Sequence, residues 1–368
     1  MNENTWQADS ARFEGGPPES ADSPAPERPD ASSPIDIPTD ALILIPMRNL
    51  VLFPGLVVPL TVGRDSSVAA ALCVAGGYRV VGIMLSLWAE PGARAENRCC
   101  HPGAVEDARE VAAILGIPFQ VLDARQLFHQ RVVAPFLAAA AEGDTPNPCF
   151  NCNQRVRFGY LLQQALALGA DVLATGHYAR VGRDPAGRFQ LLRGLDPLKD
   201  QSYMLHRLDQ AQLGRACFPV GSYPKPEVRR LATHFGLPAA TRADSMDLCW
   251  TGEDGAAGFL GRHLPPEAMQ GGDIVDAAGK VLGRHQGLPR YTLGQRKGIG
   301  VAAATPLYVV GRDTQAGRLV LGPAVELMTE GLRLDRMHWI SGQAPTALLT
   351  TAPEDRARAD GDAAEAAG

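Results

Sequence analysis

The sequence predicts an α/β fold, a parallel sheet with helices on both faces, followed by a small β-rich module. Apolar runs typical of buried strands alternate with helical patterns between about residues 57 and 255. From about residue 270 the chain changes to short apolar runs separated by Gly and Asp turns. Open parallel sheets bind ligands at the carboxyl ends of their strands, so we expect the functional site at that edge.

The first element combines a strand with a loop and a helix start. VVPLTVGRDSSVAAAL, from Val57 to Leu72, has the layout that cradles phosphate, although a single Gly beside an Arg is a poor loop for that purpose. The elements that follow are a strand over 78–85, a helix over 104–115 that Gly116 ends, a strand over 118–123, a helix over 157–169, and a strand over 170–178 that runs into a loop.

Charge and composition separate the ends of the chain from its body. The net charge is −5, but residues 1–40 carry nine acidic and two basic residues and residues 350–368 carry five and two, so the remainder is about +5. A mildly basic body is compatible with RNA binding. Both ends, 1–40 and 346–368, are predicted to be disordered. No apolar run approaches transmembrane length and the N-terminus does not look secretory, so we expect a cytoplasmic protein whose seven cysteines are thiols.

Several motifs are candidates for chemistry. Cys149 and Cys152, in TPNPCFNCN, could be a redox pair, half of a metal site, a nucleophile with a neighbour, or two buried cysteines. Gly176, in ATGHYAR, follows a strand where backbone can approach a ligand. Cys249, in ADSMDLCWTGEDG, reads on its own as a core residue. The strip HQGLPRYTLGQRKGIG (285–300) suits an RNA backbone or a solvated β-turn.

The order and spacing of these motifs resemble the tRNA-specific 2-thiouridylase family of the N-type ATP pyrophosphatase (PP-loop) superfamily. The likeness runs from Asp65 to about Ser341 and includes GADVLATGHYAR, LLRGLDPLKDQSYML and FPVGSYPKPEVRRLA. It implies a PP-loop domain over 57–255, a small central β-rich domain over 256–325, and a remnant of the family's C-terminal β-barrel over 326–345, with most of that barrel absent.

The resemblance also implies a reaction. ATP, with Mg, adenylates the 2-oxygen of the wobble uridine in the tRNA anticodon. A sulfur-relay protein loads a persulfide onto Cys249, its terminal sulfur attacks C2, and AMP leaves. Cys152 then attacks the persulfide to release the thiolated base, which requires both cysteines in electropositive, accessible settings, a flexible loop around Cys249, and a separation short enough for a disulfide bond.

The same resemblance assigns the remaining site residues. For ATP these are Gly63, Asp65, Ser66, Leu85 and Gly176, and for the target base and tRNA they are Asn147, Pro148, Cys149, Lys199, Asp200 and Gln201. Since some family members have Asp where Cys149 stands, an alternative is that Cys149, Cys152 and Cys249 hold three corners of an iron–sulfur cluster.

The chain departs from the family at its phosphate loop. The family pattern is Ser-Gly-Gly-x-Asp-Ser-Ser, and here Thr61 and Val62 replace the Ser and the first Gly. Residues 41–70 are instead similar to the opening of the Lon protease N-terminal domain, which we interpret as a chimeric junction, with 41–64 fused into the first strand. We expect weakened ATP binding. A peptide-binding module of the Lon type would need a β-rich domain after residue 70, where the sequence predicts α/β. The alternative function is a catalytically impaired fragment that retains only tRNA or sulfur-relay partner binding.

Overall fold

The computed structural model describes residues 55–59, 63–90, 103–238, 248–251, 254–328 and 337–344. The chain divides into two units, Met1–Phe53 and Pro54–Gly368, and every described residue belongs to the second. The predicted disordered ends, the Lon-like residues before Gly55, and Thr61 and Val62 of the altered loop lie outside the described residues.

A five-stranded parallel sheet forms the centre of the larger domain, in the order β3-β2-β1-β4-β7. β1 lies between β2 and β4, and its Val57 and Val58 are buried, as the continuous apolar run GLVVP predicts for a strand covered on both faces. The strands are β1 (Gly55–Pro59), β2 (Arg79–Ser86), β3 (Phe119–Asp123), β4 (Val172–Ala174) and β7 (Ala216–Cys217).

Helices cover both faces of this sheet, which confirms the predicted fold class. One apolar cluster joins the sheet to α1, α2 and α8, and a second joins its other face to α6 and α7. The α-helices are α1 (Arg64–Ala75), α2 (Ala104–Leu115), α3 (Arg125–Phe128), α4 (Ala134–Ala141), α5 (Pro148–Asn151), α6 (Leu162–Ala167), α7 (Gln210–Leu213), α8 (Lys225–His234) and α9 (Gly255–His263).

Two of these helical stretches contain π-helix, His129–Val133 and Cys152–Leu161. The predicted helix over 157–169 therefore begins earlier, at Pro148, and runs through α5, the second π-helix and α6. The Gln212 side-chain amide donates to the carbonyl oxygens of Gln154 (3.2 Å) and Phe158 (3.0 Å). A wide helix is tolerated here because a side chain satisfies carbonyls of the helix from outside.

The predicted β-rich module is a four-stranded mixed sheet in the order β10-β11-β8-β9, around a core that includes Ile274, Val309 and Leu319. Arg312 connects it to the larger domain, since its guanidinium donates to Thr145 Oγ1 at 2.8 Å. Its strands are β8 (Gly272–Asp276), β9 (Val281–His285), β10 (Tyr308–Asp313) and β11 (Arg318–Gly322), and a separate hairpin is formed by β5 (Ala179–Arg183) and β6 (Phe189–Arg193).

Short 3-10 turns complete the described structure: Ser202–Leu205, Pro219–Ser222, Leu288–Arg290 and Ala324–Leu327. No helix in the described ranges has both the length and the apolar character needed to cross a membrane.

Candidate active site

Helix α1 begins at the carboxyl edge of the parallel sheet. Gly63 is its N-cap, with ordinary extended backbone angles (φ −99°, ψ 139°), and its carbonyl oxygen accepts from the Ser67 amide at 3.2 Å. Asp65 and Ser66 lie in the first turn, and Leu85 lies at the end of neighbouring β2. The positive end of the α1 dipole therefore lies at the edge where parallel sheets bind ligands.

Gly176 lies directly against this first turn. A Cβ atom at Gly176 would stand 2.6 Å from the Ser66 backbone nitrogen and 2.7 Å from the Asp65 carbonyl carbon, distances that real Cβ atoms essentially never have. Strand β4 ends at Ala174, and the loop predicted to follow it contains Gly176. Glycine is required here by the packing of two backbone segments, before any ligand is considered.

The Asp65 carboxylate is held by two side chains from distant parts of the chain. Lys225 Nζ lies 2.9 Å from both carboxylate oxygens, and the Tyr178 hydroxyl donates to one of them at 3.1 Å. The Lys225 side chain is 7% exposed. The sequence analysis assigned no role to Lys225. Its position could have indicated one, because a lysine at the first position of a helix is unfavourable to the helix dipole and is therefore expected to have an acidic partner.

Arg64 stands at the variable position of the loop pattern, beside Gly63. It is buried, at 6% exposure, in the first position of α1. The rest of the altered loop, Thr61 and Val62, lies outside the residues described.

Asn147 and Pro148 start the helix that carries the two neighbouring cysteines. The Asn147 side chain accepts from the Cys149 amide at 3.0 Å as the N-cap, and Pro148 takes the first helical position, where its missing N–H costs nothing. Cys149 follows in α5 and Cys152 opens the π-helix. The resemblance assigned Asn147, Pro148 and Cys149 to the target base, and in the structure these three residues form the start of a helix.

Cys152 and Cys249 pack against the same apolar cluster, whose wall includes Trp88, Trp250 and Phe259. Burial raises the pKa of the Cys152 thiol, and the neighbouring Cys249 adds to that rise, so the two sulfur groups lie within electrostatic range. The structure therefore brings together the two cysteines that the resemblance assigned to sulfur handling, which are almost a hundred residues apart in sequence.

The turn that carries Cys249 is anchored on both sides. Trp250 is 2% exposed, its carbonyl oxygen accepts from the Glu90 amide at 3.3 Å, and the Thr251 hydroxyl donates to the Leu248 carbonyl at 3.1 Å. Glu90 in turn accepts two hydrogen bonds from the Arg262 guanidinium, at 2.7 and 2.8 Å. The flexible loop that we expected around Cys249 falls partly on residues 239–247, outside the description, but the turn itself is held in place.

Burial sets the protonation state of the α5 and π-helix thiols. It raises the pKa of Cys152 to about 11 and that of Cys149 to about 12, and the positive charge of Arg157 opposes both shifts without cancelling them. Both are thiols at neutral pH in this geometry, whereas we expected a setting that favours thiolate for Cys152. In the described part of the chain, no three His, Cys, Asp or Glu side chains are placed to hold a metal ion, and the iron–sulfur alternative stays a prediction.

Arg157 acts electrostatically on Cys152, on Cys149 and on His177. Burial is the larger cause that lowers the pKa of His177 to about 3, and the charge of Arg157 adds to it. His177 is therefore neutral, with Nδ1 2.7 Å from the Thr175 hydroxyl, and it directly follows Gly176. Sequence reasoning assigned no role to Arg157, because nothing in CNQRVRF distinguishes it from Arg155.

Hydrogen bonds within the chain stabilise the loop containing Lys199, Asp200 and Gln201, which the resemblance assigns to tRNA contact. Asp200 accepts from the Gly194 amide (2.8 Å) and the Ser202 hydroxyl (2.9 Å), and Gln201 pairs twice with the backbone of Tyr178 (2.8 and 3.1 Å). Lys199 is half-buried beside them. Asp200 thus stabilises the conformation of this loop, and Gln201 connects it by hydrogen bonds to Tyr178, two residues after Gly176.

The other cysteines with described positions are separate from this group. Cys73 is buried in α1 and Cys217 lies in β7, and burial raises the pKa of both thiols, for Cys217 to about 12.

A parallel sheet with a helix starting at its carboxyl edge places the chain in the class of open α/β proteins, which bind ligands at that edge. Two family models match it in succession: one described as the tRNA methyl transferase HUP domain over residues 55–253, the other as the tRNA methyl transferase PRC-barrel domain over 257–323. The first match includes β1, so it begins upstream of residues 61–67.

Curated relatives define the family. The tRNA-specific 2-thiouridylase MnmA of Geobacter metallireducens is 45% identical over 80% of this chain and 81% of its own length, and that of Chloroflexus aggregans is 43% identical over 83% and 85%. The chain belongs to the tRNA-specific 2-thiouridylase family. Among solved structures, the NMN synthetase of Francisella tularensis is 19% identical over 52% of this chain and 66% of that one, with a TM-score of 0.33, which is too low to carry an argument.

Proposed function

We propose that this protein is a tRNA-uridine 2-sulfurtransferase that uses ATP to activate C2 of a wobble uridine and a cysteine persulfide to deliver sulfur. Family membership over four-fifths of the chain supports the reaction class. The observation that carries the assignment of residues is the juxtaposition of Cys152 and Cys249 against one apolar cluster.

The two cysteines have distinct tasks in this proposal. Cys249 accepts a sulfur atom as a persulfide, and the terminal sulfur attacks the activated C2, with AMP as leaving group. The Cys152 thiolate then attacks the Cys249 sulfur. The bond between Cys249 and the transferred sulfur breaks, its electron pair leaves with the thiolated base, and a Cys152–Cys249 disulfide forms. An external dithiol reduces that disulfide before the next turnover.

The nucleotide belongs at the start of α1. Gly63, Asp65 and Ser66 line the helix N-terminus, whose amides and dipole suit a polyphosphate, and Leu85 and Gly176 flank it. Mg²⁺ would be held chiefly by phosphate oxygens and water, as it usually is with nucleotides. We further propose a sulfur-relay protein as the persulfide donor, and Asn147, Pro148, Cys149 and the loop containing Lys199, Asp200 and Gln201 as contacts of the anticodon base, which must be extruded to react.

The test is sulfur transfer to a tRNA transcript with a wobble uridine. The reaction contains ATP, Mg²⁺, a low-molecular-weight persulfide as donor and a dithiol, and 2-thiouridine is measured by mass spectrometry of the nucleosides. We expect ATP-dependent 2-thiouridine and equimolar AMP from the unmodified chain. Cys249→Ser and Cys152→Ser should each reduce multiple-turnover thiolation by at least about a hundredfold, while Cys73→Ala should retain activity.

Two outcomes would contradict the proposal. Unchanged thiolation by Cys249→Ser would remove the persulfide from the mechanism. Binding of tRNA by the unmodified chain without any 2-thiouridine would favour the alternative of an impaired fragment, which the family match over most of the chain does not favour.

A further inference from the structure

Two helix starts meet at the proposed nucleotide site through an ion pair. Lys225 opens α8 and Asp65 lies in the first turn of α1, and apolar side chains of both helices share one core cluster. The Lys225 ammonium nitrogen lies 2.9 Å from each Asp65 carboxylate oxygen, and the Tyr178 hydroxyl donates to one of them at 3.1 Å. Both oxygens of the carboxylate therefore accept hydrogen bonds from Lys225.

The Asp65 carboxylate would otherwise compete with a bound polyphosphate. A negative group in the first turn of a helix is attracted to the positive end of the helix dipole, and that end is also where phosphate groups bind. A carboxylate without a cation would occupy the same positive potential and repel the phosphates. Paired with Lys225, the carboxylate presents no net charge to them.

Burial makes this pair effective. The Lys225 side chain is 7% exposed, so solvent and salt screen the pair less than an exposed one. The Lys225 backbone N–H donates to the Asp196 carboxylate at 2.9 Å, so a different acid serves the start of α8. Buried Arg64 occupies the first position of α1. Arg64, Asp65 and Lys225 together carry one net positive charge, and without Lys225 they carry none.

We propose that Lys225 is a positioning residue for the nucleotide: it holds and neutralises the Asp65 carboxylate, so that the start of α1 accepts a polyphosphate. The inference rests on the proposed function for the location of the nucleotide. Because the effect is electrostatic, it grows with the charge of the ligand. Lys225 therefore favours ATP over AMP, and AMP over adenosine, without contributing to the binding of the nucleoside.

The test compares ligands that share the nucleoside and differ in charge. The full chain is titrated with ATP, AMP and adenosine up to millimolar concentrations, and each dissociation constant is obtained from the rise in unfolding temperature. The buffer contains EDTA, so that ATP keeps its full charge and no metal ion contributes to binding.

Three variants are compared with the unmodified chain. They are Lys225→Met, Lys225→Met combined with Asp65→Asn, and the control Arg230→Met, which breaks an exposed ion pair on the same helix. Each is made with the unmodified loop and with Thr61→Ser and Val62→Gly, so that a weak loop does not hide the effect.

We expect Lys225→Met to weaken ATP binding by about tenfold and AMP binding by about two- to threefold, and to leave adenosine binding unchanged. Removing the carboxylate as well, with Asp65→Asn, should return ATP binding to within about threefold of the unmodified chain, because the two side chains act as a pair. Arg230→Met should bind all three ligands normally.

An equal loss of ATP, AMP and adenosine binding in Lys225→Met would overturn the proposal, since a pair with only a structural role affects all three alike. Unchanged ATP binding by Lys225→Met would also overturn it, as would a double variant that binds ATP no better than Lys225→Met.

The measurement uses neither tRNA nor a sulfur donor. If the charge dependence is absent while the unmodified chain still makes 2-thiouridine, the proposed function stands and Lys225 only stabilises the fold. If the charge dependence is present in a chain that makes no 2-thiouridine, the role of Lys225 stands without the proposed function.

Discussion

The two halves of the candidate site, which we call the nucleotide edge (Gly63–Ser67 with Gly176) and the thiol wall (Cys152 and Cys249 with Trp88 and Trp250), are built by opposite means. The nucleotide edge is polar and paired, because Lys225 bonds both oxygens of Asp65. The thiol wall is apolar, and burial holds its Cys152 protonated.

This difference indicates where each half is vulnerable. Removing either partner of a buried ion pair leaves an uncompensated charge and destabilises the fold. Adding an atom between two backbone segments in contact forces them apart, which is also destabilising. An apolar wall tolerates conservative changes of shape, but it makes the reactivity of a thiol depend on the few charges beside it. Substitutions should therefore damage the nucleotide edge through binding and stability, and the thiol wall through reactivity.

The largest effect should come from Gly176→Ala, which adds a methyl group where Ser66 N would be 2.6 Å away. We expect the α1 start to move, ATP binding by calorimetric titration to become undetectable, and the free energy of unfolding to fall by about 2 kcal/mol, as in overpacked sites. Gly311→Ala is the matched control, since its added atom would stay 3.5 Å or more from its neighbours. Normal ATP binding by Gly176→Ala would show that the two backbones are not in contact as described.

Lys225→Met should lower the free energy of unfolding by about 2 kcal/mol. It removes the ion pair of the Asp65 carboxylate, whose side chain is only 29% exposed to solvent. Asp65→Asn in the same chain should recover part of that loss. On the same helix, Arg230→Met breaks an exposed pair with Glu227 and should cost less than about 0.5 kcal/mol. Denaturant unfolding of the four chains forms the test. Equal losses for Lys225→Met and Arg230→Met would mean that burial of the first pair has no energetic consequence.

Restoring the loop with Thr61→Ser and Val62→Gly should strengthen ATP binding by at least about tenfold, or about 1.4 kcal/mol. A β-branched residue resists the backbone angles and the close phosphate approach that Gly permits, and buried Arg64 cannot replace amide donors. Calorimetric titration at matched Mg²⁺ compares the two chains. Equal affinities would mean that the loop accepts Val62 and is not impaired.

The smallest effect should come from Glu90→Gln at the thiol wall. Hydrogen bonds from Arg262 are the main cause that holds the pKa of Glu90 below its ordinary value of 4.5, so its ion pairs stabilise the fold above that value and lose their effect as the pH falls through the folded pKa. We expect a loss of about 1 kcal/mol at pH 7, kept small because Arg262 is 44% exposed.

Thermal unfolding at pH 7 and at pH 3 measures this loss, and the difference between the two chains should narrow at the lower pH. Asp123→Asn removes a fully exposed pair with Arg125 and serves as the control, with little change at pH 7. If Glu90→Gln lowers the stability by the same amount at pH 3 as at pH 7, the loss comes from altered packing and not from the lost charge.

Sequence patterns determined most of the fold and the residues with distinctive chemistry. Buried strands such as β1 are continuous apolar runs, and Cys152, Cys249 and Gly176 stand in motifs whose order is specific. Lys225 could not be placed, because it meets Asp65 across 160 residues and no local period connects them. The π-helical register of Cys152–Leu161 could not be predicted either, because periodicity predicts an α-helix over the same residues.

The Gln212 side-chain amide donates to two carbonyls of the π-helix, and its side-chain oxygen accepts from the Asp209 N–H at 3.2 Å in the capping box that starts α7. One amide side chain thus closes two helices at once, so neither end can fray without exposing the other. Local opening in this region should be cooperative, with amides of α7 and of Cys152–Leu161 exchanging their hydrogens at a common rate. The cysteine is then protected from solvent as part of a unit that opens whole, and its accessibility follows the stability of that unit.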